Sequence, residues 1–317
     1  MRRRWEQKAV DPISIDSNKD SLPLRFLMTV YILHSKEIPM SDIRSANGPA
    51  YVSTFDTQKL RDHFLIQELF RPDEINYTHT MHDRMIIMGA MPSTKSLSLP
   101  LLKDITKADY LLERRELGII NVGGSGVVSV DGETYDLENK ECLYIGKGKK
   151  EVSFSSSDPG HPAEFYMNCL PAHAVYPTKK ATIEDATQVS LGSQENCNER
   201  IICQYIHENG IKSCQLVMGF TVLKPGSVWN TFPPHTHQRR MEVYFYFDLP
   251  DDQVVMHFMG DPLETRHIVM RNREAVISPE WSIHSGAGTS AYAFVWGMGG
   301  ENKAFTDMDA ADILRLK

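Results

Sequence analysis

The sequence lacks the features that mark several large classes of protein. It has five cysteines, an odd number with no CxxC pair, which argues against a disulfide framework and a cysteine-based zinc site. No apolar run approaches the ~20 residues needed to cross a bilayer. Lys and Arg number 34 against 41 Asp and Glu, and the net charge of -7 offers no footprint for nucleic acid or an acidic membrane. We therefore expect a cytoplasmic protein with reduced, mostly buried thiols and a small-molecule partner.

The first 39 residues differ from the rest of the chain. Three arginines at positions 2–4 precede an apolar stretch at 22–33, an order that resembles a signal peptide. However, Arg25 interrupts that stretch, and no small-residue cleavage site follows it. We predict that residues 1–39 are a disordered extension or a start-site artefact rather than a secretion signal.

Short β-rich runs separated by Gly, Asp and Lys dominate the chain from residue 117 onward. In the first half they fall at 117–122, 126–130, 133–137, 142–145 and 151–154. In the second half they fall at 200–206, 215–223, 241–247, 253–259, 265–270, 274–277 and 291–296. Asp131-Gly132 indicates a hairpin, because the favoured two-residue turn needs positive φ at both positions. This pattern predicts an all-β fold of two tandem barrels.

The length of 317 residues suggests about two domains. A connection at 171–180 and a polar stretch to residue 198 lie between the two sets of strands, so we predict an N-terminal domain at 40–180 and a C-terminal domain at 181–317. Only a few short helices are expected. One lies within 54–70, where apolar residues recur near helical spacing and Asp56 or Thr57 can cap the start, and another lies at 309–316.

Four residues of the second half form a candidate metal site. His235 and His237 are two apart, so on a strand their imidazoles share a face, which Glu242 can rejoin if a bulge intervenes. His284, in a Pro-x4-His pattern, supplies a fourth ligand from a separate strand. These ligands suit Zn, Fe, Mn, Co or Ni without deciding among them. The alternative is a chance arrangement, since the chain has 12 histidines.

The complete pattern resembles the two sequence motifs of the cupin superfamily, which favours a metal in the C-terminal barrel. The predicted strands of the first half have a similar spacing, but this half contains no HxH pair. We therefore predict that its barrel lacks a metal. His161 and His173 lie outside its predicted strands, where surface or hydrogen-bonding roles are the simpler interpretation.

Longer motifs narrow the resemblance. They are LLERRELG at 111–118, YIGKG at 144–148, YPTKK at 176–180, HTHQRRMEVYFYF at 235–247, ETRHIVM at 264–270 and WGMGGEN at 296–302. From about residue 40 to the C-terminus, the chain resembles the bacterial 5-keto-4-deoxyuronate isomerases of pectin breakdown. Residues 1–39 have no counterpart in that family.

The resemblance implies a double cupin, commonly a hexamer, with one zinc ion per subunit at the positions that match here as His235, His237, Glu242 and His284. It also implies interconversion of 5-dehydro-4-deoxy-D-glucuronate and 3-deoxy-D-glycero-2,5-hexodiulosonate. Two other functions stay open, because a cupin with this ligand set can bind iron and act as a dioxygenase, or bind a sugar acid without turning it over. A purely structural zinc is a further alternative.

Strand parity suggests which other side chains face the cavity. Arg240 and Tyr244 share the face of Glu242, Thr231 shares that of His235, and Arg200 and Ile202 line the barrel if their strand does. We add Thr221 to these substrate-binding candidates.

A uronate carboxylate would pair with Arg240 or Arg200, although either arginine can instead form an ordinary salt bridge. The general base cannot be named from the sequence. Tyr244 and His267 are the candidates, each with a structural role as the alternative, and metal-bound hydroxide is another.

Overall fold

The computed structural model describes residues 42–304 and 306–317, so the prediction for residues 1–39 lies outside the described residues. Helices are few and short within this part of the chain: α1 Pro49–Val52, α2 Thr57–Phe64, α3 Lys103–Thr106 and a 3-10 turn at Leu111–Glu113. The strands are β1 Asp42–Arg44, β2 Leu65–Ile66, β3 Ile75–Thr80, β4 Ile86–Ala90, β5 Leu97–Ser98, β6 Arg115–Asn121, β7 Gly126–Val130, β8 Glu133–Leu137, β9 Cys142–Ile145, β10 Val152–Ser156, β11 Phe165–Pro171, β12 Lys179–Ala181, β13 Thr187–Leu191, β14 Arg200–Ile206, β15 Val217–Leu223, β16 Trp229–Asn230, β17 His235–Thr236, β18 Arg240–Phe247, β19 Val255–Asp261, β20 Glu264–Met270, β21 Ala275–Ser278, β22 Ser285–Gly288, β23 Ala293–Gly300 and β24 Asp309–Ala310.

Apart from β17 and β24, which form a two-stranded sheet of their own, the described strands form two pairs of sheets that repeat the same plan. In the first pair, a seven-stranded sheet of order β1-β3-β4-β11-β6-β9-β12 accompanies a four-stranded sheet of order β5-β10-β7-β8. In the second pair, the orders are β13-β14-β15-β23-β18-β21-β2 and β16-β22-β19-β20. Buried apolar side chains from both members of each pair pack together. The prediction of an all-β fold with a few short helices is confirmed.

Several strands match their predicted bounds, namely β7, β8, β9 and β14. The hairpin between β7 and β8 also has the expected geometry, with φ of 48° at Asp131 and 88° at Gly132. The division at residue 180 stays a prediction. Strand β12 ends at Ala181, one residue beyond that boundary, and β2 from the first half pairs with β21 of the second.

One predicted helix is confirmed and one needs correction. Helix α2 lies within the predicted 54–70 stretch: it begins after Asp56, whose carboxylate accepts a hydrogen bond from the Lys59 N–H, and it ends at Phe64, since Leu65 has extended backbone and begins β2. The predicted helix at 309–316 is wrong. Asp309–Ala310 is instead a strand, β24, that pairs with β17. The predicted connection between the halves likewise contains strands β12 and β13.

A buried carboxylate joins the two halves of the chain. Glu116 on β6 is fully buried and accepts hydrogen bonds from the backbone N–H groups of Cys214 at 2.7 Å, Gln215 at 2.8 Å and Leu216 at 2.9 Å. The Tyr144 hydroxyl donates to the same carboxylate at 2.7 Å. Each carboxylate oxygen therefore receives two donors, which satisfies a charge that would be costly to bury unpaired.

The large sheets of the two halves approach closely beside this carboxylate. Tyr166 on β11 stacks on Phe245 on β18 with ring centroids 4.5 Å apart. Gly118 on β6 allows the approach, because a Cβ atom there would lie 2.6 Å from the Leu216 side chain and 2.7 Å from the sulfur of Met218. The second half is thus packed directly against the first.

Two absences predicted from the sequence can be examined in this part of the chain. No helix among the described residues is long and apolar enough to cross a membrane. The five cysteines are free thiols, of which Cys197 is exposed and the other four are buried.

Candidate metal centre and adjoining pocket

Three segments of the second half position the candidate ligands. His235 lies on β17, and His237 follows in the turn that leads into β18. Glu242 is the third residue of β18, and His284 immediately precedes β22 on the facing four-stranded sheet. The site therefore lies between the two sheets of the second half, and residues distant in sequence meet there.

The four side chains converge on one point. Their ligand atoms all lie within 4.8 Å of one another. The Glu242 carboxylate is 3.1 Å from His237 Nε2 and 2.9 Å from His284 Nε2, and the Nε2 atoms of His284 and His235 are 3.0 Å apart. No second cluster of this kind occurs among residues 42–304 and 306–317.

The donor set fits a transition-metal ion. Bonds of about 2.0–2.2 Å from nitrogen and oxygen to zinc place the ligand atoms of a tetrahedral site roughly 3.3–3.6 Å apart, a little more than the separations of 2.9, 3.0 and 3.1 Å seen here. The orientation of His237 fits as well, since its Nδ1 lies 2.8 Å from the Arg240 carbonyl oxygen. A proton on Nδ1 would be donated to that carbonyl and would leave the Nε2 lone pair for the metal.

The surroundings of His235 and Glu242 favour the protonation states in which these two candidate ligands bind a metal. Burial, and then the nearby His284, lower the pKa of His235 to about 2. Burial alone would raise the pKa of Glu242, but His284 and His237 outweigh it and hold that pKa below its usual range. A neutral imidazole and an ionised carboxylate are the forms that bind metals.

A cavity of about 230 Å³ opens beside the cluster. Eight apolar residues and seven polar or charged residues line it, a mixture that suits a small polar molecule. Its lining contains His235 and Glu242, together with every substrate-binding candidate from the sequence: Arg200, Ile202, Thr221, Thr231, Arg240 and Tyr244.

The two candidate arginines differ in their surroundings. Arg240 is 1% exposed, and its guanidinium donates to the carbonyl oxygens of Asn302, Ala304 and Asp307. Arg200 donates to the Asn198 carbonyl oxygen at 2.8 Å and has no ion pair with a carboxylate among the described residues. Burial lowers the pKa of Arg200, and the nearby Tyr244 and Tyr292 oppose that shift. Among the described residues, Arg200 thus has fewer protein hydrogen-bond partners than Arg240.

The two candidate proton-transfer residues lie in different places. The Tyr244 hydroxyl is 2.8 Å from Thr231 Oγ1, and both residues line the cavity. Burial, and then Glu242, raise the pKa of Tyr244 well above its ordinary value, so its hydroxyl is protonated. His267 is exposed on β20 and does not line the cavity. Of the two candidates, Tyr244 is therefore the one that lies at the cavity.

Sequence reasoning missed several residues of the site. Phe294, Trp296 and Met298 on β23 form part of the cavity wall, and Met308 closes it from the C-terminal segment. Fully buried His257 lies beside Tyr244, with ring centroids 5.6 Å apart, and its Nδ1 is 2.8 Å from the Tyr246 hydroxyl. In β23 these three large side chains alternate with Val295, Gly297 and Gly299, a pattern that could have indicated one shared face. Nothing in the sequence marks Met308.

Comparison with known proteins identifies relatives over nearly the whole chain. A 4-deoxy-L-threo-5-hexosulose-uronate ketol-isomerase from Lachnoclostridium phytofermentans is 52% identical over 276 residues, which cover 87% of this chain and 100% of the relative. Proteins of the same name from Formosa agariphila and Escherichia coli are 54% and 51% identical, cover 86% and 87% of this chain and are themselves covered over 98% and 100%.

The fold has relatives among solved structures. An IolB-like protein from Salmonella typhimurium superposes with a TM-score of 0.58 at 13% identity, over 69% of this chain and 84% of that protein. That likeness supports the fold alone. The model of the KduI/IolB family matches residues 66–313. This chain therefore belongs to the KduI/IolB family and is a ketol-isomerase, an intramolecular oxidoreductase.

Proposed function

We propose that the protein interconverts 5-dehydro-4-deoxy-D-glucuronate and 3-deoxy-D-glycero-2,5-hexodiulosonate, with one zinc ion per subunit bound by His235, His237, Glu242 and His284. The observation that carries this proposal is the position of Arg200, Thr231 and Tyr244 around a small cavity whose wall includes two of the four ligands. Relatives named for action on a hexosulose-uronate support the substrate class.

The substrate carboxylate has one well-suited partner in the cavity. Arg200 presents a cation without a carboxylate partner among the described residues, and a guanidinium pairs with a carboxylate through two parallel hydrogen bonds. Arg240 is less suited, because backbone carbonyls of the C-terminal segment occupy its guanidinium. We therefore assign carboxylate binding to Arg200, which lines the same cavity as His235 and Glu242.

Moving a carbonyl to the neighbouring carbon requires one proton to leave carbon and another to return. When bound, zinc supplies Lewis-acid polarisation of the substrate carbonyl. The Tyr244 hydroxyl, held by Thr231, is positioned to donate a hydrogen bond to a substrate oxygen or to carry a proton. The apolar wall of Phe294, Trp296 and Met298 excludes water, which strengthens these polar contacts.

An NMR time course with freshly prepared 5-keto-4-deoxyuronate tests the proposal. Wild type should convert it to the 2,5-diketone, whereas a folded His235→Ala, His237→Ala double variant should not. An absence of conversion by zinc-loaded wild type would refute the assigned substrate. Oxygen uptake by an iron-loaded sample, measured in parallel, would favour the dioxygenase alternative.

The expected homo-oligomer, a hexamer, stays a prediction. Sedimentation of the purified protein would test it.

A further inference from the structure

A segment near the C-terminus lies along the strand that carries His235. Strand β24 pairs with β17 in an antiparallel register that places Ala310 opposite His235 and Asp309 opposite Thr236. The Ala311 N–H also donates to the Pro234 carbonyl oxygen at 3.0 Å. We call residues 307–311 the C-terminal strap.

Two consecutive arginines bind the strap to the turn between β17 and β18. Arg239 Nε contacts both carboxylate oxygens of Asp307, at 2.7 and 2.9 Å, and its Nη2 reaches the Asp309 carboxylate at 3.0 Å. Arg240 Nη2 donates to the Asp307 carbonyl oxygen at 3.2 Å, and its Nη1 donates to that of Ala304 at 2.8 Å. The strap is thus fixed by charged donors at the same turn that contains His237.

The strap is the strand partner of a ligand-bearing segment. Within the described residues, β17 is only two residues long and belongs to a two-stranded sheet whose other member is β24. His235 is also the partly exposed member of the ligand cluster, whereas the other three are buried. Pairing with the strap therefore supplies the backbone restraint that the larger sheets give to Glu242.

We propose that the C-terminal strap contributes to metal binding at the candidate metal centre. It holds His235 in its ligand position, and Arg240 acts as a positioning residue by binding the strap through its side chain and His237 through its carbonyl oxygen. Met308 makes the strap part of the cavity wall at the same time. This inference rests on the proposed function only in requiring that the site binds a metal.

The test measures zinc affinity of the full-length protein in the absence of substrate, by competition with a chromogenic chelator. Ala311→Pro removes the N–H donor to Pro234 without changing charge or the cavity wall, and Ala311→Ser keeps it. Arg240→Gln removes the charged donor to the Asp307 carbonyl oxygen of the strap, together with those to Asn302 and Ala304 that precede it. Its matched control is Arg115→Gln, because Arg115 is also buried and binds two backbone carbonyls, those of Arg84 and Cys169, in the first half.

We expect Ala311→Pro and Arg240→Gln to weaken zinc binding by about tenfold, as loss of groups that orient metal ligands does. The two controls should bind zinc with the affinity of wild type. In the absence of metal, Ala311→Pro and Ala311→Ser should have the same melting temperature. Wild-type affinity in both strap variants would overturn the inference and leave the proposed function standing. A wild-type protein that binds no divalent metal would instead overturn the proposed metal centre. If Arg240→Gln does not fold, the zinc affinity of Ala311→Pro alone tests the inference.

Discussion

Arg200 offers the sharpest test of how this enzyme selects its substrate. Replacing it with Gln removes a half-buried guanidinium that has no carboxylate partner among the described residues. A hydrogen bond to a charged group contributes about 1.5–3 kcal/mol, and each 1.4 kcal/mol is roughly tenfold in an equilibrium constant. We therefore expect kcat/KM to fall by about 10- to 100-fold, mainly through a higher KM.

The assay compares initial rates on the keto-uronate and on its methyl ester, which lacks the carboxylate charge. Wild type should prefer the acid over the ester by about the factor that Arg200→Gln loses, and the variant should treat the two alike. Arg200→Lys should fall between them, because an ammonium keeps the charge but not the planar fork. An equal loss on acid and ester would refute carboxylate binding by Arg200.

Three further predictions concern the candidate metal site, the buried Glu116 carboxylate and buried His79. Removing the metal with a chelator should abolish turnover and added Zn²⁺ should restore it, so full turnover by metal-free protein would contradict a catalytic metal. Glu116→Gln should destabilise the fold by about 3 kcal/mol, since an amide N–H₂ would face other donors, whereas Tyr144→Phe should cost about 1 kcal/mol; urea denaturation giving equal losses would contradict this account. Burial, then Arg115 and Arg84, lower the pKa of His79 to about 4. The unfolded chain therefore gains a proton first as pH falls from 6.5, and stability declines toward pH 4. His79→Gln should show a shallower decline in urea midpoints between pH 7 and 5, and an unchanged slope would contradict it.

The strand pattern was predictable because each half of the fold repeats a strong local signal. Alternating apolar residues and the Asp131-Gly132 turn depend on near neighbours, and β7 and β8 appear at their predicted bounds. Local spacing predicted a short helix within 54–70 but not where it ends, because Leu65 and Ile66 satisfy their backbone groups by pairing with β21. Such a long-range partner overrides local spacing.

The C-terminal prediction failed for a related reason. Apolar residues at 309–316 suggested a helix, yet Ile313 is 46% and Leu314 is 91% exposed, so no core face stabilises one. Arg239 and β17 hold the preceding residues in extended form instead. Neither partner is near in sequence, which is why local patterns could not reveal the strap.

Within the site, parity placed Arg240 and Tyr244 along the cavity lining, but it could not give the destination of a long side chain. The Arg240 guanidinium extends to backbone carbonyls at 302–307, a contact that no strand pattern encodes. His257 was missed because its partner, the Tyr246 hydroxyl, becomes visible only when β18 and β19 are placed together.

The contact between the two halves at Glu116 has a consequence for attempts to make a smaller enzyme. The second half contains all four candidate ligands, so a fragment beginning at residue 182 looks like a minimal catalyst. Such a fragment would lose the acceptor for the N–H groups of 214–216, the edge strand β2 and the ring that stacks on Phe245. The first half thus supports the half that contains the candidate metal site, and redesign should shorten its loops rather than remove it.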